Sequence, residues 1–457
     1  MQDYLDPSGC PAERPALQSM SEQTRSLHTA IDRAIKERGS PYLHPEDPTV
    51  QFDLLGSRHM IAWQEAKAEA LFVGESCWSN LPQVYARYGV DATRRLIREV
   101  QQLEHSTAAV LTDCGMQACA LLIDVLVTPK SHAIITREVY NKTRKYLEWL
   151  CARVGASFDL ISDSELASVA NLIRPETTLI FTETFTNPLT RALDPEAIRT
   201  IADKARKETA PKLRLVVDNT IASPWSLKQP LLSQRGIDVV VASGTKSLGG
   251  QDRDLWGYIA SNHIDLLNEV MDLQATRGGA LDWRRATVLL SQLPQAEKYF
   301  RQRCATASKI ARFLDAHPRI AKVNHPSLPR HPDAETIKNH YTEPGSLMSF
   351  RVADLSENEA RHFADVLATC VIPRYALSFD GLATKINHHP TVSEYFTPTE
   401  ELELLGFDRI LRLGVGLEHY EDLIACLNWA LWNHDKVNPD EVVEWQKARE
   451  RELGIYP

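Results

Sequence analysis

The sequence predicts an α/β fold with a mostly parallel central sheet, followed by a smaller C-terminal α+β domain. The first observation is length, since 457 residues exceed what one ordinary core accommodates. The second is a series of short, nearly all-apolar runs that alternate with amphipathic stretches from residue 107 onward, which is typical of parallel strands covered on both faces. The third is a helical pattern over residues 282–316, long enough to connect two domains.

Residues 1–80 are expected to form an N-terminal arm. They are rich in proline and charge, and beyond a helical stretch at residues 21–38 they show no complete apolar periodicity that would build a separate core. Their start lacks the basic residues and the apolar run of a secretory signal, so we expect a cytoplasmic protein.

The large domain is expected over residues 81–300 and the C-terminal domain over residues 301–457. The predicted strands of the large domain are residues 108–111, 133–135, 178–181, 213–217 and 239–242, and two further apolar runs at residues 346–352 and 410–415 belong to the second domain. Ligands of parallel sheets bind at the carboxyl ends of the strands. The polar residues that follow these runs are therefore the candidates for a functional site.

Composition narrows the choice of partner. Hydrophobic residues make up 43% and charged residues 24% of the chain, as in soluble globular proteins, and no run approaches the roughly 20 apolar residues of a membrane helix. The formal net charge of -9 argues against nucleic acid as a partner. The eight cysteines form no CxxC pair, which favours reduced thiols over a disulfide framework or a metal site. Small molecules are the expected partners.

Lys246 is the first candidate for chemistry, because it lies just beyond the apolar run at residues 239–242, after Ser243 and Thr245. A lysine amine can form a Schiff base with an aldehyde cofactor, and the hydroxyls of Ser243 and Thr245 can hold the phosphate of such a cofactor. The alternative is an ordinary exposed loop lysine.

Asp218 ends the neighbouring predicted strand. A carboxylate there can keep a pyridine nitrogen protonated, and the protonated ring becomes an electron sink; the alternative is a strand-end cap. Gly115 and Met116 lie where a strand meets a helical stretch, and the free N–H groups of a helix start suit a phosphate. Alone, such a glycine is also typical of a turn.

These three elements, in this order, resemble the Cys/Met-metabolism enzymes that depend on pyridoxal 5'-phosphate (PLP), a family that includes cystathionine γ-synthase, cystathionine γ- and β-lyases, methionine γ-lyase and O-acetylhomoserine sulfhydrylase. The resemblance covers residues 85–429. Its most specific stretches are Val217-Asp-Asn-Thr-Ile-Ala-Ser-Pro-Trp225 and Ser243-Gly-Thr-Lys-Ser-Leu-Gly-Gly250, which are similar to the family's VDNT…SP and S-x-T-K-Y-x-x-G-H signatures. The resemblance implies PLP as the cofactor and the aspartate-aminotransferase-like fold of type I.

Further residues gain a role from this resemblance. Tyr140 would stack on the pyridine ring and assist departure of the leaving group, and Glu183 and Asn187 would lie beside the cofactor. Arg412 would form a bidentate pair with the substrate's α-carboxylate, which Ser378 would help to seat.

Two more residues connect the resemblance to assembly. Tyr85 and Arg87 resemble the family's Y-S-R element, whose side chains reach the phosphate of the cofactor in the neighbouring subunit. This implies a homodimer or homotetramer with shared active sites.

The sequence departs from the family pattern mainly on the substrate side. Ser247 and Gln251 replace the tyrosine and histidine that follow the lysine, without removing the cofactor chemistry. Ala383 stands where the family's S-L-G-x-x-E-S-L element carries glutamate, and Lys142 stands where relatives carry a small residue. A lysine near the distal end of the substrate suits an acidic side chain or an acyl group. The equal alternative is that Lys142 is solvated and Ala383 has no specific role.

The expected activity is γ-elimination or γ-replacement on a homoserine- or methionine-type amino acid. Lys246 is expected both to anchor the cofactor and to move protons at the substrate's Cα. One alternative is β-elimination from a cystathionine- or cysteine-type substrate. The others are a catalytically idle member that only binds PLP and an aminotransferase of the same fold.

Overall fold

A computed structural model describes residues 29, 56–73, 81, 83–233, 236–249 and 251–454. The helical stretch predicted at residues 21–38 lies almost entirely outside the described residues. The described part of the predicted arm includes helix α1 (Ser57–Val73), which packs on the large domain: Lys67 forms an ion pair with Asp272, and the Asn268 side chain donates a hydrogen bond to the Ala70 carbonyl at 2.8 Å.

A seven-stranded sheet forms the centre of the large domain, in the order β1-β7-β6-β5-β4-β2-β3. Its strands are β1 (Ala108–Thr112), β2 (His132–Thr136), β3 (Ser157–Ile161), β4 (Thr177–Glu183), β5 (Arg214–Asp218), β6 (Val239–Ala242) and β7 (Gly257–Ser261). Only β7 pairs antiparallel with its neighbours β1 and β6, and the other pairs are parallel. The predicted mostly parallel sheet is confirmed.

Helices cover this sheet on both faces. They are α2 (Asp91–Glu104), α3 (Gly115–Leu126), α4 (Asn141–Val154), α5 (Pro195–Glu208) and α6 (Ile264–Arg277), with short 3-10 helices at Ala86–Tyr88, Asp163–Leu172, Pro224–Ser226 and Leu231–Ser233. Along β6, Val240 and Ala242 belong to the apolar cluster on one face, and Val239 and Val241 belong to the cluster on the other. Because both faces are buried, the strand is apolar at every position.

Helix α7 (Trp283–Ala316) is 34 residues long and contributes to the cores of both domains. Its first turns contribute Ala286 and Leu289 to a core cluster of the large domain. Its last turns contribute Ala307, Ile310 and Leu314 to the core of the second domain. The domain boundary predicted at residue 300 falls within this helix.

The second domain is a five-stranded sheet, in the order β10-β11-β12-β9-β8, packed against helices. Its strands are β8 (Ile320–Asn324), β9 (Leu347–Val352), β10 (Arg374–Tyr375), β11 (Lys385–His388) and β12 (Leu411–Gly414). Its helices are α8 (Ala334–His340), α9 (Glu357–Ala368), α10 (His389–Ser393), α11 (Thr399–Leu405), α12 (Tyr420–Asn433) and α13 (Pro439–Leu453), with a 3-10 helix at His434–Lys436. The predicted smaller α+β domain is confirmed. Across the ranges that the structure describes, no helix combines the length and apolar character needed to span a bilayer.

Candidate active site

Three adjacent parallel strands deliver polar residues to one edge of the central sheet. Glu183 ends β4, Asp218 ends β5, and the two residues are register partners. Asp218 also pairs with Val241 of β6, and the chain leaving β6 carries Lys246. The sheet therefore brings together three of the residues predicted from sequence, because parallel strands end at the same edge.

Asp218 is a deeply buried carboxyl group with a displaced pKa. Only 7% of the residue is exposed, and its Oδ1 atom accepts a hydrogen bond from the Thr220 backbone N–H at 2.9 Å. Burial raises the pKa of Asp218 to about 6, against the lowering effect of the hydrogen bonds from Thr220. A cationic group placed beside this carboxyl would relieve the cost of its ionisation.

Lys246 reaches the second domain. Its Nζ atom donates a hydrogen bond to Ser378 Oγ at 2.7 Å and lies 5.0 Å from the centroid of the Phe379 ring. Burial lowers the pKa of Lys246, and the carboxylates of Asp252 and Asp380 oppose this effect. A lysine with a lowered pKa is more readily available as the neutral, nucleophilic amine.

The start of α3 lies against the loop that carries Lys246. A Cβ atom built on Gly115 would fall 2.6 Å from Ser243 Cβ, so only glycine allows this close approach. The Ser243 backbone N–H donates to Thr220 Oγ1 at 2.8 Å, which ties this loop to the end of β5. Met116 follows Gly115 in the first turn of α3, and its sulfur accepts a weak hydrogen bond from Thr143 Oγ1 at 3.8 Å.

Thr245 is held differently from Ser243. Its hydroxyl donates to the Trp256 carbonyl at 3.2 Å and accepts from the Trp256 N–H at 3.0 Å. A role for Thr245 in holding phosphate, which stays a prediction, would require this hydroxyl to turn away from Trp256.

Tyr140 immediately precedes α4 at the same edge. Its backbone N–H donates to Glu183 Oε1 at 2.7 Å, so Glu183 fixes the start of the helix. The Tyr140 residue is 42% exposed. Burial raises the pKa of its phenol, while nearby Arg412 lowers it. The phenol therefore stays protonated at neutral pH.

Arg412 lies on β12, the central strand of the smaller sheet, and faces the same site. Its Nη2 atom donates to the Leu377 carbonyl at 2.6 Å and its Nη1 atom to Asn187 Oδ1 at 3.3 Å. The residue is only 4% exposed. Burial lowers the pKa of Arg412 to about 10, with Tyr140 acting in the opposite direction. Its two hydrogen-bond acceptors are neutral oxygens, which leaves its charge available to an anionic ligand.

Most of the predicted site residues fall into three linked groups. Hydrogen bonds and strand pairing link Lys246 to Ser378, Arg412 to Asn187, Tyr140 to Glu183, Glu183 to Asp218, and Ser243 to the end of β5. Tyr85 and Arg87 lie elsewhere on the surface. The Arg87 guanidinium lies 4.9 Å from the centroid of the Tyr85 ring, and both residues are exposed.

Sequence reasoning missed Asp252. Its Oδ1 atom accepts from Ser378 Oγ at 3.0 Å, and its other oxygen forms an ion pair with Lys385 of β11. The position of Asp252, six residues after the candidate lysine, could have indicated a role in the site. Its partner Lys385, however, lies 133 residues away in sequence.

The lysine singled out on the substrate side is associated with aromatic rings. Lys142 Nζ lies 5.4 Å from the Tyr395 ring centroid and 5.5 Å from that of Phe396. Arg144 of the same helix lies 3.6 Å from Glu394. Helix α4 is therefore bound to the segment that follows α10, at the rim of the site.

Comparison with known proteins agrees with the family resemblance seen in the sequence motifs. A sequence model described as Cys/Met metabolism PLP-dependent enzyme matches residues 67–432. Cystathionine gamma-synthase 1, chloroplastic, of Arabidopsis thaliana is 30% identical over 349 residues, which cover 76% of this chain and 60% of that relative. The chain thus spans less than two thirds of the length of that relative.

A second relative is cystathionine beta-lyase MetC of Bacillus subtilis, 29% identical over 340 residues that cover 74% of this chain and 83% of the relative. Among solved structures, cystathionine gamma-lyase from Lactobacillus plantarum complexed with L-serine superposes with a TM-score of 0.69 at 26% identity, covering 77% of this chain and 89% of that chain.

Proposed function

The chain belongs to the Cys/Met metabolism PLP-dependent enzyme family, and we propose that it catalyses γ-elimination or γ-replacement on a homoserine- or methionine-type amino acid. The family match confirms the predicted resemblance and PLP as the cofactor. Within that family, the substrate and the roles of the site residues are proposals.

The residues at the sheet edge fit this cofactor. When bound, PLP supplies an aldehyde that bonds a lysine amine and a pyridine ring that withdraws electrons from the substrate's Cα. Lys246 offers an amine of lowered pKa, and Asp218 offers a buried carboxyl that a protonated ring nitrogen would stabilise as the carboxylate. Gly115, in close contact with Ser243, begins α3, and the backbone N–H groups at a helix start suit a phosphate.

The observation that carries the proposal is that the amine and the guanidinium bind adjacent residues. Lys246 donates to Ser378, and Arg412 donates to the carbonyl of Leu377. An α-amino acid carries its carboxylate directly on the carbon that loses a proton. A guanidinium fork next to an amine base therefore matches such a substrate.

The proposed roles follow from these positions. Arg412 binds the α-carboxylate and thereby orients Cα toward Lys246. Lys246 accepts the Cα proton as a neutral amine, and γ chemistry needs a second proton removed at Cβ. The Tyr140 phenol, protonated at neutral pH because burial raises its pKa, can give a proton to the leaving group.

β-Elimination is the second candidate, favoured by the similarity to the Bacillus subtilis β-lyase. The products separate the two reactions. γ-Elimination from a homoserine-type substrate yields a four-carbon keto acid, whereas β-elimination from cysteine or cystathionine yields pyruvate.

The test is to assay the PLP-loaded protein with O-acyl-homoserines, cystathionine, methionine and cysteine, reading keto acid and released thiol. We expect the four-carbon keto acid, or a replacement product when a thiol is added. Pyruvate alone would establish β-elimination instead. Turnover that requires a second keto acid as amino acceptor would establish an aminotransferase. If no amino acid is turned over, the protein is a family member that only binds PLP.

Lys246→Ala tests the mechanism, with Lys228→Ala as the control. We expect Lys246→Ala to lose the visible absorbance of the lysine-bound cofactor. We also expect its activity to fall by about 10³-fold or more. Lys228 is exposed and binds the Lys338 carbonyl, so its removal should leave both unchanged. Wild-type turnover by Lys246→Ala would refute the mechanism.

We also propose that the chain forms a homodimer or homotetramer in which Tyr85 and Arg87 complete the neighbouring subunit's site. Their exposure supports this. Mixed Lys246→Ala and Arg87→Ala subunits should regain about a quarter of the active sites if sites are shared in pairs. Absence of any recovery after verified subunit exchange would contradict shared sites. A cytoplasmic location stays a prediction from the sequence.

A further inference from the structure

We propose that Asp252 is a positioning residue for Lys246: it holds the hydroxyl of Ser378, which in turn holds the free lysine amine, while Lys385 fixes the carboxylate of Asp252. This rests on the proposed role of Lys246 as the lysine that bonds the cofactor. It adds a charged pair, Asp252 and Lys385, that controls when the amine is available.

The shorter hydrogen bonds run from Lys246 through Ser378 to Asp252, whereas the Phe379 carbonyl lies farther from Ser378 Oγ, at 3.4 Å. Lys246 Nζ donates to Ser378 Oγ at 2.7 Å, and Ser378 Oγ donates to Asp252 Oδ1 at 3.0 Å. The ammonium group of Lys385 pairs with the other carboxylate oxygen. A serine hydroxyl has one proton to donate. With that proton given to Asp252, the oxygen of Ser378 is left as an acceptor for Lys246.

The backbone around this pair is adapted to it. Asp252 has a φ of 58°, in the left-handed region where aspartate and asparagine are tolerated better than most residues. A Cβ atom on Gly381 would lie 2.5 Å from Lys385 Nζ and 3.1 Å from Asp252 Cβ, so glycine leaves the room that the pair occupies. The side chains of Asp252 and Lys385 are 27% and 12% exposed.

Four charged groups act on Lys246. Burial lowers its pKa most strongly, then Asp252 and Asp380 raise it, and Arg412 and Lys385 lower it.

Asp380 is held by its own partners. The Ser346 hydroxyl donates to it, and Arg303 Nε lies 3.8 Å from its Oδ1 atom. The guanidinium of Arg303 offsets its charge, whereas Asp252 is connected to Lys246 through Ser378.

Asp252 is itself held ionised. Burial raises the pKa of Asp252, but the hydrogen bond and charge of Lys385, the hydrogen bond of Ser378 and the charge of Lys246 together lower it below its usual range. The carboxylate therefore stays charged at neutral pH and stabilises the ammonium form of Lys246. Lys385 counteracts this, since its own positive charge disfavours a second ammonium nearby.

The two members of the pair should consequently shift Lys246 in opposite directions. In Asp252→Asn the ammonium loses a counter-charge, so we expect the amine to become neutral at lower pH. In Lys385→Met a nearby cation is lost, so we expect the amine to become neutral at higher pH. A purely structural role would move both variants in the same direction, because each breaks the same contact.

The experiment measures the rate at which the full-length protein, freed of cofactor, takes up PLP between pH 5.5 and 9, followed by the visible absorbance of the bound cofactor. The rate should rise with the neutral fraction of Lys246. We expect its pH midpoint to fall by at least about half a unit in Asp252→Asn and to rise by a similar amount in Lys385→Met. Asp254→Asn, two residues further along the loop, is the matched control and should not move it.

A second measurement tests the route through Ser378. In a Ser378→Ala background the shift caused by Asp252→Asn should shrink, as for two residues in one hydrogen-bond network. Unchanged midpoints, or midpoints that move in the same direction in both single variants, would overturn the proposal. A wild-type protein that takes up no PLP, or Lys246→Ala protein that gains the same absorbance, would instead overturn the proposed function.

Discussion

Asp218 at the sheet edge and Asp252 on the loop after Lys246 are held in opposite ways. At the sheet edge Asp218 is buried, accepts a hydrogen bond from the Thr220 N–H, and has its pKa raised to about 6 by burial. On the loop side Asp252 is paired with Lys385, and this pairing outweighs burial and lowers its pKa. The sheet side thus leaves a charge for a ligand to neutralise, whereas the loop-side pair is neutralised within the protein.

Arg412, on strand β12 of the second domain, is held like Asp218 and not like Asp252. It is buried, its partners are a carbonyl and an amide oxygen, and burial lowers its pKa to about 10. The site therefore contains one group that gains from an anion, Arg412, and one that gains from a cation, Asp218. Groups that are buried without a charged partner should respond most strongly to the ligand, and groups already paired should respond least.

Removal of Arg412 should have the largest effect. We expect Arg412→Ala to weaken substrate binding by about 2 to 5 kcal/mol, because the α-carboxylate loses the buried partner of a charge pair. The measurement is kcat/KM for the best substrate, with uptake of PLP as a check that the cofactor still binds. Arg412→Lys should recover only part of the loss, since an ammonium cannot form the planar bidentate pair.

Arg409→Ala is the matched control for Arg412. Arg409 lies three residues earlier, is 40% exposed at its side chain and pairs with Asp408. Exposed pairs contribute at most about 1 kcal/mol. If both arginine variants lost kcat/KM equally, the burial of Arg412 would not explain its effect. The contrast between buried unpaired charges and paired charges would then fail.

Asp218→Asn should have the next largest effect. We expect the cofactor-free protein to lose about 2 to 3 kcal/mol of PLP binding at pH 8, since a charged hydrogen bond to the ring nitrogen is removed. The raised pKa of Asp218 also sets the direction in which PLP affinity changes with pH. The wild-type protein gains PLP affinity as Asp218 ionises on going from pH 5 to pH 7. Equilibrium dialysis of both proteins over this range should therefore give curves that diverge as the pH rises; parallel curves would contradict the role of Asp218.

The comparison also separates what the sequence could predict from what it could not. Lys246 and Asp218 each follow an apolar run, so local pattern and the rule for parallel strand ends were enough to find them. The role of Asp252 depends on Lys385, and only the packing of the second domain against the first brings them together. Likewise the hydrogen bonds of Thr245 to Trp256 depend on how the loop folds back.

The two strands of the central sheet that the sequence did not predict, β3 and β7, have a similar explanation. Strand β3 is an edge strand whose residues are mostly half-exposed or exposed, so it lacks the all-apolar pattern of its buried neighbours. Strand β7 begins with Gly257 and ends with Ser261, which leaves only three apolar residues between them. A buried strand is visible in sequence when its residues are also apolar throughout. Strand β3 lacks the burial, and β7 is buried but has too short an apolar run.

Glu104 provides the smallest but most selective test, because it is buried on the sheet side and its hydrogen-bond partners are neutral side chains. It is fully buried, and its Oε1 atom accepts from the Tyr258 hydroxyl at 2.6 Å and from Asn219 at 3.4 Å. Burial raises the pKa of Glu104 to about 7, against the lowering effect of these two hydrogen bonds. In the unfolded chain the same group would lose its proton near its ordinary value of 4.5.

The sign of the stability change follows from these two values. Between pH 4.5 and 7 the folded protein holds a proton that the unfolded chain releases, so the stability contributed by Glu104 is complete below pH 4.5 and is lost as the pH rises through 7. We expect the free energy of unfolding of the wild type, relative to Glu104→Gln, to fall by about 1 to 2 kcal/mol from pH 6 to pH 8. Urea denaturation at both pH values measures it, and Glu99→Gln, exposed on the same helix, should show no such fall. We expect the fall to be the same with and without PLP. A fall that PLP abolishes would mean that Glu104 and Asp218 titrate as one unit, and that the distinction between ligand-neutralised and merely buried charge does not hold on the sheet side.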